Sequence, residues 1–229
     1  LDATCPLVSK VHKQAERLVE QGRHIVFIGH RGHPEVIGTF GQVPEGTMTL
    51  IETVADVATL PDFDDGNLGF LTQTTLSVDD TAAVVAALQA RFPRILGPRG
   101  EDICYATSNR QDAVKAICER VEKLIVIGAP NSSNSLRLAE VGERLGIPAM
   151  LVQRGADIDF DWLGTPATLG LTAGASAPEV LVEEVIQRLR QLGATSVRKL
   201  QGIDETVTFP LPKGLGGSPK PESAFPGRS

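Results

Sequence analysis

The sequence lacks any apolar run long enough to span a membrane, which takes about 20 consecutive apolar residues. It lacks a basic segment and apolar core at its start, Leu1-Asp2-Ala3-Thr4-Cys5-Pro6, so no secretory signal is expected. It also lacks an initial methionine. A chain opening Leu-Asp at the edge of a cysteine motif reads as a piece of something longer. Cysteine is scarce: there are three, with no C-x-x-C or C-x-x-H spacing. The odd number argues against a disulfide framework and for a reducing, cytoplasmic setting, and the spacing argues against a local zinc knuckle. An excess of positive charge is missing too. A formal net charge of −6 argues against a general polyanion binder, so neither nucleic acid nor a membrane is an expected partner. A small phosphorylated ligand needs only local donors and remains open.

What is present is an alternation of strand and helix patterns over 229 residues, enough for one large or two small domains. Cys5-Pro6 opens a helix with Leu7, Val8, Val11, Ala15, Leu18 and Val19 on one face, stopped by Gly22. An apolar strand over 24–28 runs into Gly29-His30-Arg31-Gly32-His33-Pro34-Glu35. A strand over 47–51, a short helix over 54–60 and a strand over 68–71 follow. The last runs into Thr72-Gln73-Thr74-Thr75-Leu76-Ser77, where Ser77 caps a further helix. Prolines and glycines mark a linker around 93–101.

The pattern then restarts. Ile103-Cys104-Tyr105-Ala106-Thr107 precedes a helix expected over 109–121. A strand over 124–127 runs into Asn131-Ser132-Ser133-Asn134-Ser135 and a helix to 145. Strands over 149–152 and 168–171 follow, the second leading into Thr172-Ala173-Gly174-Ala175-Ser176-Ala177-Pro178 and a last long helix. The expected fold is therefore α/β: two Rossmann-like lobes with small parallel sheets, over 1–98 and 99–193. A strand segment over 194–211, with its strand at 206–209, and a disordered tail over 212–229 complete the expectation. In parallel sheets the loops after the strands share one edge, so these polar loops can converge on one cleft.

The chemistry of each loop leaves choices. Asn131–Ser135 sits where a strand meets a helix N-terminus, and its five small polar residues exceed what a cap needs, which favours an anion site. Ser176 is either a cap or a second phosphate donor. Ser77 is a cap, with Thr74 and Thr75 as surplus hydroxyls. Glu35 is either a proton donor or a helix-capping carboxylate. His30 and His33 suggest a metal site, and a zinc hydrolase using them with Glu35 is one reading. A non-catalytic phosphoryl-ligand binding module is another. Cys118 lies on a helix's apolar face and reads as core. Cys5 and Cys104 precede helices, where a thiolate is favoured. They are one per lobe, as a shared cluster would need, but two thiolates are too few for an iron–sulfur cluster on their own.

Taken together, Asp2–Val8, Gly29–Val36, Thr72–Thr81, Ile103–Thr107, Asn131–Ser135 and Thr172–Pro178 look like the signature segments of the LytB/IspH family, in order, from residue 1 to about 211. The resemblance implies a reductase of 4-hydroxy-3-methylbut-2-enyl diphosphate with three α/β lobes around a 4Fe-4S cluster held by three cysteines. Electrons from an external donor such as ferredoxin or flavodoxin, with protons, remove the substrate hydroxyl as water and give isopentenyl and dimethylallyl diphosphate. By the same resemblance Cys5 and Cys104 are cluster ligands and Glu35 is the proton donor. His33, Ser132, Ser133, Asn134 and Ser176 hold the diphosphate, and Thr74 lies near the substrate alcohol with Gln73 beside it, which leaves His30 either a structural role or one in support of the residues that touch the substrate. Residues 1–98 correspond to the family's middle lobe and 99–193 to its last. The family's first lobe, with the third cysteine and two further histidines, has no counterpart in the sequence, so an incomplete enzyme is expected.

Overall fold

The computed structural model describes residues 2, 4–200, 202–203 and 206–209. Helix α1 (Pro6–Glu20) begins with Cys5 at its N-cap and Pro6 in its first turn, where the absent N–H costs nothing. It ends at Gly22, whose φ of 72° lets Arg23 N donate back to Leu18 O at 3.0 Å. Strand β1 (His24–Ile28) then forms the centre of a parallel sheet with β2 (Met48–Ile51) and β3 (Leu68–Thr72), in the order β2-β1-β3.

Alternation along β1 divides the core. Ile25 and Phe27 join Val11, Ala15 and Leu18 of α1 and Val36 of α2 (Pro34–Phe40) on one face. Val26 and Ile28 join Val57 of α3 (Val54–Thr59) and Val84 and Leu88 of α4 (Val78–Arg91) on the other. Burial on both faces is why these short strands are continuously apolar.

The second lobe repeats this build. Helix α5 (Tyr105–Cys118) follows Cys104, and β4 (Lys123–Ile127) is the central strand between β5 (Ala149–Val152) and β6 (Leu169–Ala173). Leu124 and Val126 pack with Val114 and Cys118 of α5 and Leu138 of α6 (Ser133–Arg144). Ile125 and Ile127 pack with Leu163 of α7 (Phe160–Leu163) and Val185 and Leu189 of α8 (Glu179–Gln191). The core placement of Cys118 agrees with its sequence pattern.

Three local expectations change. Helix α5 starts at Tyr105, four residues earlier than expected, so Cys104 is its N-cap itself. Helix α2 forms where only a loop was expected, because Pro34 presets the first helical φ and His33 caps it. Residues 206–209 are not in a strand: Val207 and Phe209 are exposed, and neither sheet pairs with this segment, so it has no ladder to join. Residues 210–229, including the expected tail, lie outside the described residues.

The linker joins the lobes through the edge of the first sheet. Leu96 bridges Gly69 in parallel, and Phe70 N donates to Leu96 O at 2.9 Å. Beyond it, Cys104 N donates to Thr74 O at 3.0 Å. Gln111, fully buried on α5, accepts from Val78 N at 3.0 Å and donates to Leu76 O at 2.8 Å. Lys115 pairs with Asp79 and Arg144 with Asp80 across the same boundary. Among the described residues no helix is long and apolar enough to cross a membrane.

Candidate functional site

The loops after β1, β3 and β4 meet at Gln73. Its backbone extends β3, donating to Ile28 O at 2.8 Å, and its side chain is fully buried. There its Oε1 accepts from His30 N at 3.0 Å, while Nε2 donates to Thr75 Oγ1 at 2.9 Å. Thr75 Oγ1 in turn lies 3.0 Å from Ser133 Oγ at the start of α6. One glutamine thus ties the histidine loop, the threonine loop and the second lobe's serine loop together.

Glu35 sits in the first turn of α2, but its carboxylate does not cap that helix. It accepts from Thr74 N at 2.7 Å and from Thr74 Oγ1 at 2.9 Å. Burial raises its pKa above the usual carboxylate range, the two Thr74 bonds oppose that rise, and the nearby Asp102 carboxylate adds to it. Asp102 has a fully buried carboxylate that accepts from Thr72 N and Gln14 Nε2, both at 3.1 Å. The capping of α2 falls to His33 instead, whose Nδ1 accepts from Glu35 N at 3.1 Å. That bond places the proton of neutral His33 on Nε2, which can donate to a ligand. Desolvation lowers the His33 pKa, and His30 lowers it further.

The second lobe contributes the N-terminus of α6. Ser132 is the N-cap and accepts from Ser135 N at 3.4 Å and Ser135 Oγ at 3.0 Å. Asn134 is buried, yet neither its Nδ2 nor its Oδ1 has a hydrogen-bond partner among the described residues. Buried amides are normally satisfied, and free N–H groups with the helix dipole favour an anion beside them. The loops after β4 and β6 close tightly around this turn: a Cβ on Gly128 would lie 2.1 Å from Ser135 Oγ, and one on Gly174 equally close. Gly128→Ala is therefore expected to cost about 1–3 kcal/mol of stability by overpacking. Calorimetry should show a lower Tm for it, largely restored when Ser135→Gly removes the obstructing hydroxymethyl. Ser176 is exposed and is not a cap, since Pro178 occupies that position of α8. Its hydroxyl is left available.

Cys5 and Cys104 are the N-caps of α1 and α5, and neither makes a capping hydrogen bond. Cys5 is exposed, and Cys104 is half-buried with Sγ 3.0 Å from Thr107 Oγ1. Among the described residues no three His, Cys, Asp or Glu side chains come together as a metal-binding group. His30, His33 and Glu35 thus do not form the zinc site that their spacing suggested: His33 faces the Glu35 N–H, Glu35 faces Thr74, and His30 Nδ1 lies 3.6 Å from Glu52.

Asp102 is the site residue that sequence reasoning missed. It sits between linker and helix, one residue outside the Ile103–Thr107 segment, and its partners Gln14 and Thr72 are 88 and 30 residues away. The buried bridge made by Gln111 was missed for the same reason.

Two parallel-sheet lobes that bring serine, asparagine, histidine and a buried carboxyl with a raised pKa together at their strand ends define an α/β protein with a polar site where the lobes meet. The family model of the LytB protein matches residues 1–190, and the chain belongs to that family. It is 59% identical over 214 residues to the 4-hydroxy-3-methylbut-2-enyl diphosphate reductase of Aromatoleum aromaticum, covering 93% of this chain and 68% of that protein. It is 58% identical to the protein of that name from Phenylobacterium zucineum, covering 95% of this chain and 69% of the relative. Among solved structures it is similar to the E-1-hydroxy-2-methyl-but-2-enyl-4-diphosphate reductase from Plasmodium falciparum, with a TM-score of 0.78 at 37% identity. That match covers 85% of this chain and 60% of the other. The chain thus spans between three fifths and seven tenths of the length of these relatives.

Proposed function

We propose that this chain carries the substrate-binding and proton-delivering lobes of a 4-hydroxy-3-methylbut-2-enyl diphosphate reductase. One observation carries the reading: Glu35 and Thr74 are bonded to each other, and Gln73 and Thr75, on either side of Thr74, reach Ser133 of the anion loop. A proton donor and a phosphate cradle are thereby held on one connected frame, as a substrate with a diphosphate at one end and an alcohol at the other requires. Ser132, Ser133, Asn134 and Ser176 supply neutral donors to the diphosphate, and His33 adds an N–H from the facing lobe. Glu35, whose pKa is raised by burial, supplies a proton through the Thr74 hydroxyl toward the substrate alcohol. Two electrons and two protons break the C–O bond, release water and leave isopentenyl or dimethylallyl diphosphate.

Cys5 and Cys104 fit two of the thiolates that a 4Fe-4S cluster needs. Each lies at a helix N-terminus with its side chain uncommitted to capping. Cys118, packed in the core, is not a third. When bound, the cluster supplies electrons and Lewis acidity. An external one-electron donor such as ferredoxin or flavodoxin completes the reaction.

The test is anaerobic assay of the full-length protein with 4-hydroxy-3-methylbut-2-enyl diphosphate and dithionite-reduced methyl viologen. Both five-carbon diphosphates are the expected products. Tight diphosphate binding that Cys104→Ala leaves unchanged, with no reduction under any donor, would instead establish a phosphoryl-ligand binding module.

A further inference from the structure

We propose that the basic cleft beside α1 is the docking surface for an acidic one-electron carrier protein, a proposal that rests on the reductase reading above. The cleft has a volume of about 490 Å³, and Lys10, Lys13, Arg17 and Arg99 line it with Thr4 and Pro6. Four cations and no carboxylate line this surface, on a chain whose net charge is −6. Lys10, Lys13 and Arg17 recur at helical spacing along one side of α1, and Lys13, Arg17 and Arg99 are exposed. Among the described residues, none of those three has a carboxylate within ion-pair distance.

The charge pattern separates this surface from a contact between lobes. Where the two lobes meet, charges come as opposite pairs, Lys115 with Asp79 and Arg144 with Asp80. A patch of one sign, exposed on this chain, instead steers a partner of the other sign and governs how fast it arrives. The openness of the cleft and the exposure of its cations suit a broad acidic protein face better than a small anion, which is held by enclosed donors.

The location suits electron delivery. Thr4 and Pro6 flank Cys5. Lys10 Nζ donates to Glu101 O at 2.7 Å and lies 3.8 Å from the buried Asp102, on the segment that leads into Cys104. Both segments that carry the proposed cluster thiolates therefore border the patch. Each docked carrier gives up one electron and leaves oxidised. Two such deliveries with two protons account for the broken C–O bond and the released water, so no further reductant is needed.

The experiment compares the wild-type full-length protein, cluster-loaded, with its Lys13→Glu/Arg17→Glu/Arg99→Glu variant. Reduced flavodoxin serves as the acidic donor, and dithionite-reduced methyl viologen as a donor that needs no docking face. The KM for flavodoxin should rise by about tenfold or more at low salt, with the viologen-driven rate held within about twofold. Added salt should weaken flavodoxin use by the wild type and barely affect the variant. The Kd for oxidised flavodoxin, measured by titration, should shift in parallel and needs no turnover. A wild type that binds flavodoxin through these residues yet never reduces the diphosphate would remove the reductase reading and keep the docking face. An unchanged KM and Kd for flavodoxin would overturn the proposal. Equal loss with both donors would overturn it too, since the face would then serve another contact.

Discussion

Glu35→Gln is expected to lower turnover by about 10²–10⁴-fold, the range that a positioned general acid supplies, while diphosphate affinity stays within a few-fold. The substitution keeps the local frame. A glutamine Oε1 can still accept from Thr74 N, and its Nε2 can donate to Thr74 Oγ1, so both bonds recorded for Glu35 have replacements. What it cannot keep is the proton. Burial, helped by Asp102, raises the Glu35 pKa against the pull of the two Thr74 bonds. The acid form is the working form, so the wild-type kcat should fall as pH rises through the folded pKa, and that limb should be absent from the variant's residual rate. The same shift sets the stability behaviour. A carboxyl whose folded pKa exceeds its unfolded one, about 4.3 for glutamate, contributes stability that is full below the unfolded value and lost as pH rises through the folded value. Glutamine never ionises, so the variant should be at least as stable as the wild type at neutral pH. A collapse in turnover without a fall in Tm is the result to look for by steady-state kinetics and calorimetry. Undiminished turnover would take Glu35 out of the mechanism.

The pairing of Glu35 with Thr74 also shows where a sequence stops being legible. Strands β1 and β4 could be read directly because a strand buried on both faces must be continuously apolar, as His24–Ile28 and Lys123–Ile127 are beyond their first residues. The meeting of the loops followed from parallel topology alone, and the structure joins them at Gln73. The individual roles did not follow. A glutamate two residues after a histidine and one after a proline reads equally well as a cap; only the fold shows that His33 does the capping and turns Glu35 toward a threonine 39 residues away. The sequence alone sets Cys104 several residues before its helix because Tyr105, Thr107 and Ser108 are modest helix formers. Tertiary contacts override that preference: Cys104 N is fixed on Thr74 O, and Thr107 and Gln111 face inward as buried residues of α5. The resemblance supplied roles for Cys5, Cys104 and the diphosphate loop that spacing had left undecided.

Asn134→Leu is expected to move two quantities in opposite directions. In the free protein the Asn134 amide is 6% exposed with both polar atoms unpartnered, and a buried unsatisfied group costs about 1–3 kcal/mol. Leucine has a similar shape and no polar atoms, so its Tm should match or exceed that of the wild type. The same change removes a donor at the N-terminus of α6, where Nδ2 and the helix dipole together suit a diphosphate oxygen. Losing one such bond to a charged group should weaken diphosphate binding by about 10- to 100-fold, the equivalent of 1.5–3 kcal/mol. Asn134→Asp separates charge from shape: it preserves the outline, places a negative charge beside the anion, and should bind more weakly than leucine does. Isothermal titration with inorganic diphosphate, beside thermal melts of the three proteins, reads both effects. An asparagine that only fills space would lose stability on substitution and leave affinity unchanged. Leucine and aspartate variants that titrate like the wild type would therefore remove Asn134 from the diphosphate site and leave that role to the hydroxyls of Ser132, Ser133 and Ser176 and to His33. In the opposite case, a protein more stable and less able to bind would show that the unpartnered Asn134 amide is held in reserve for the ligand.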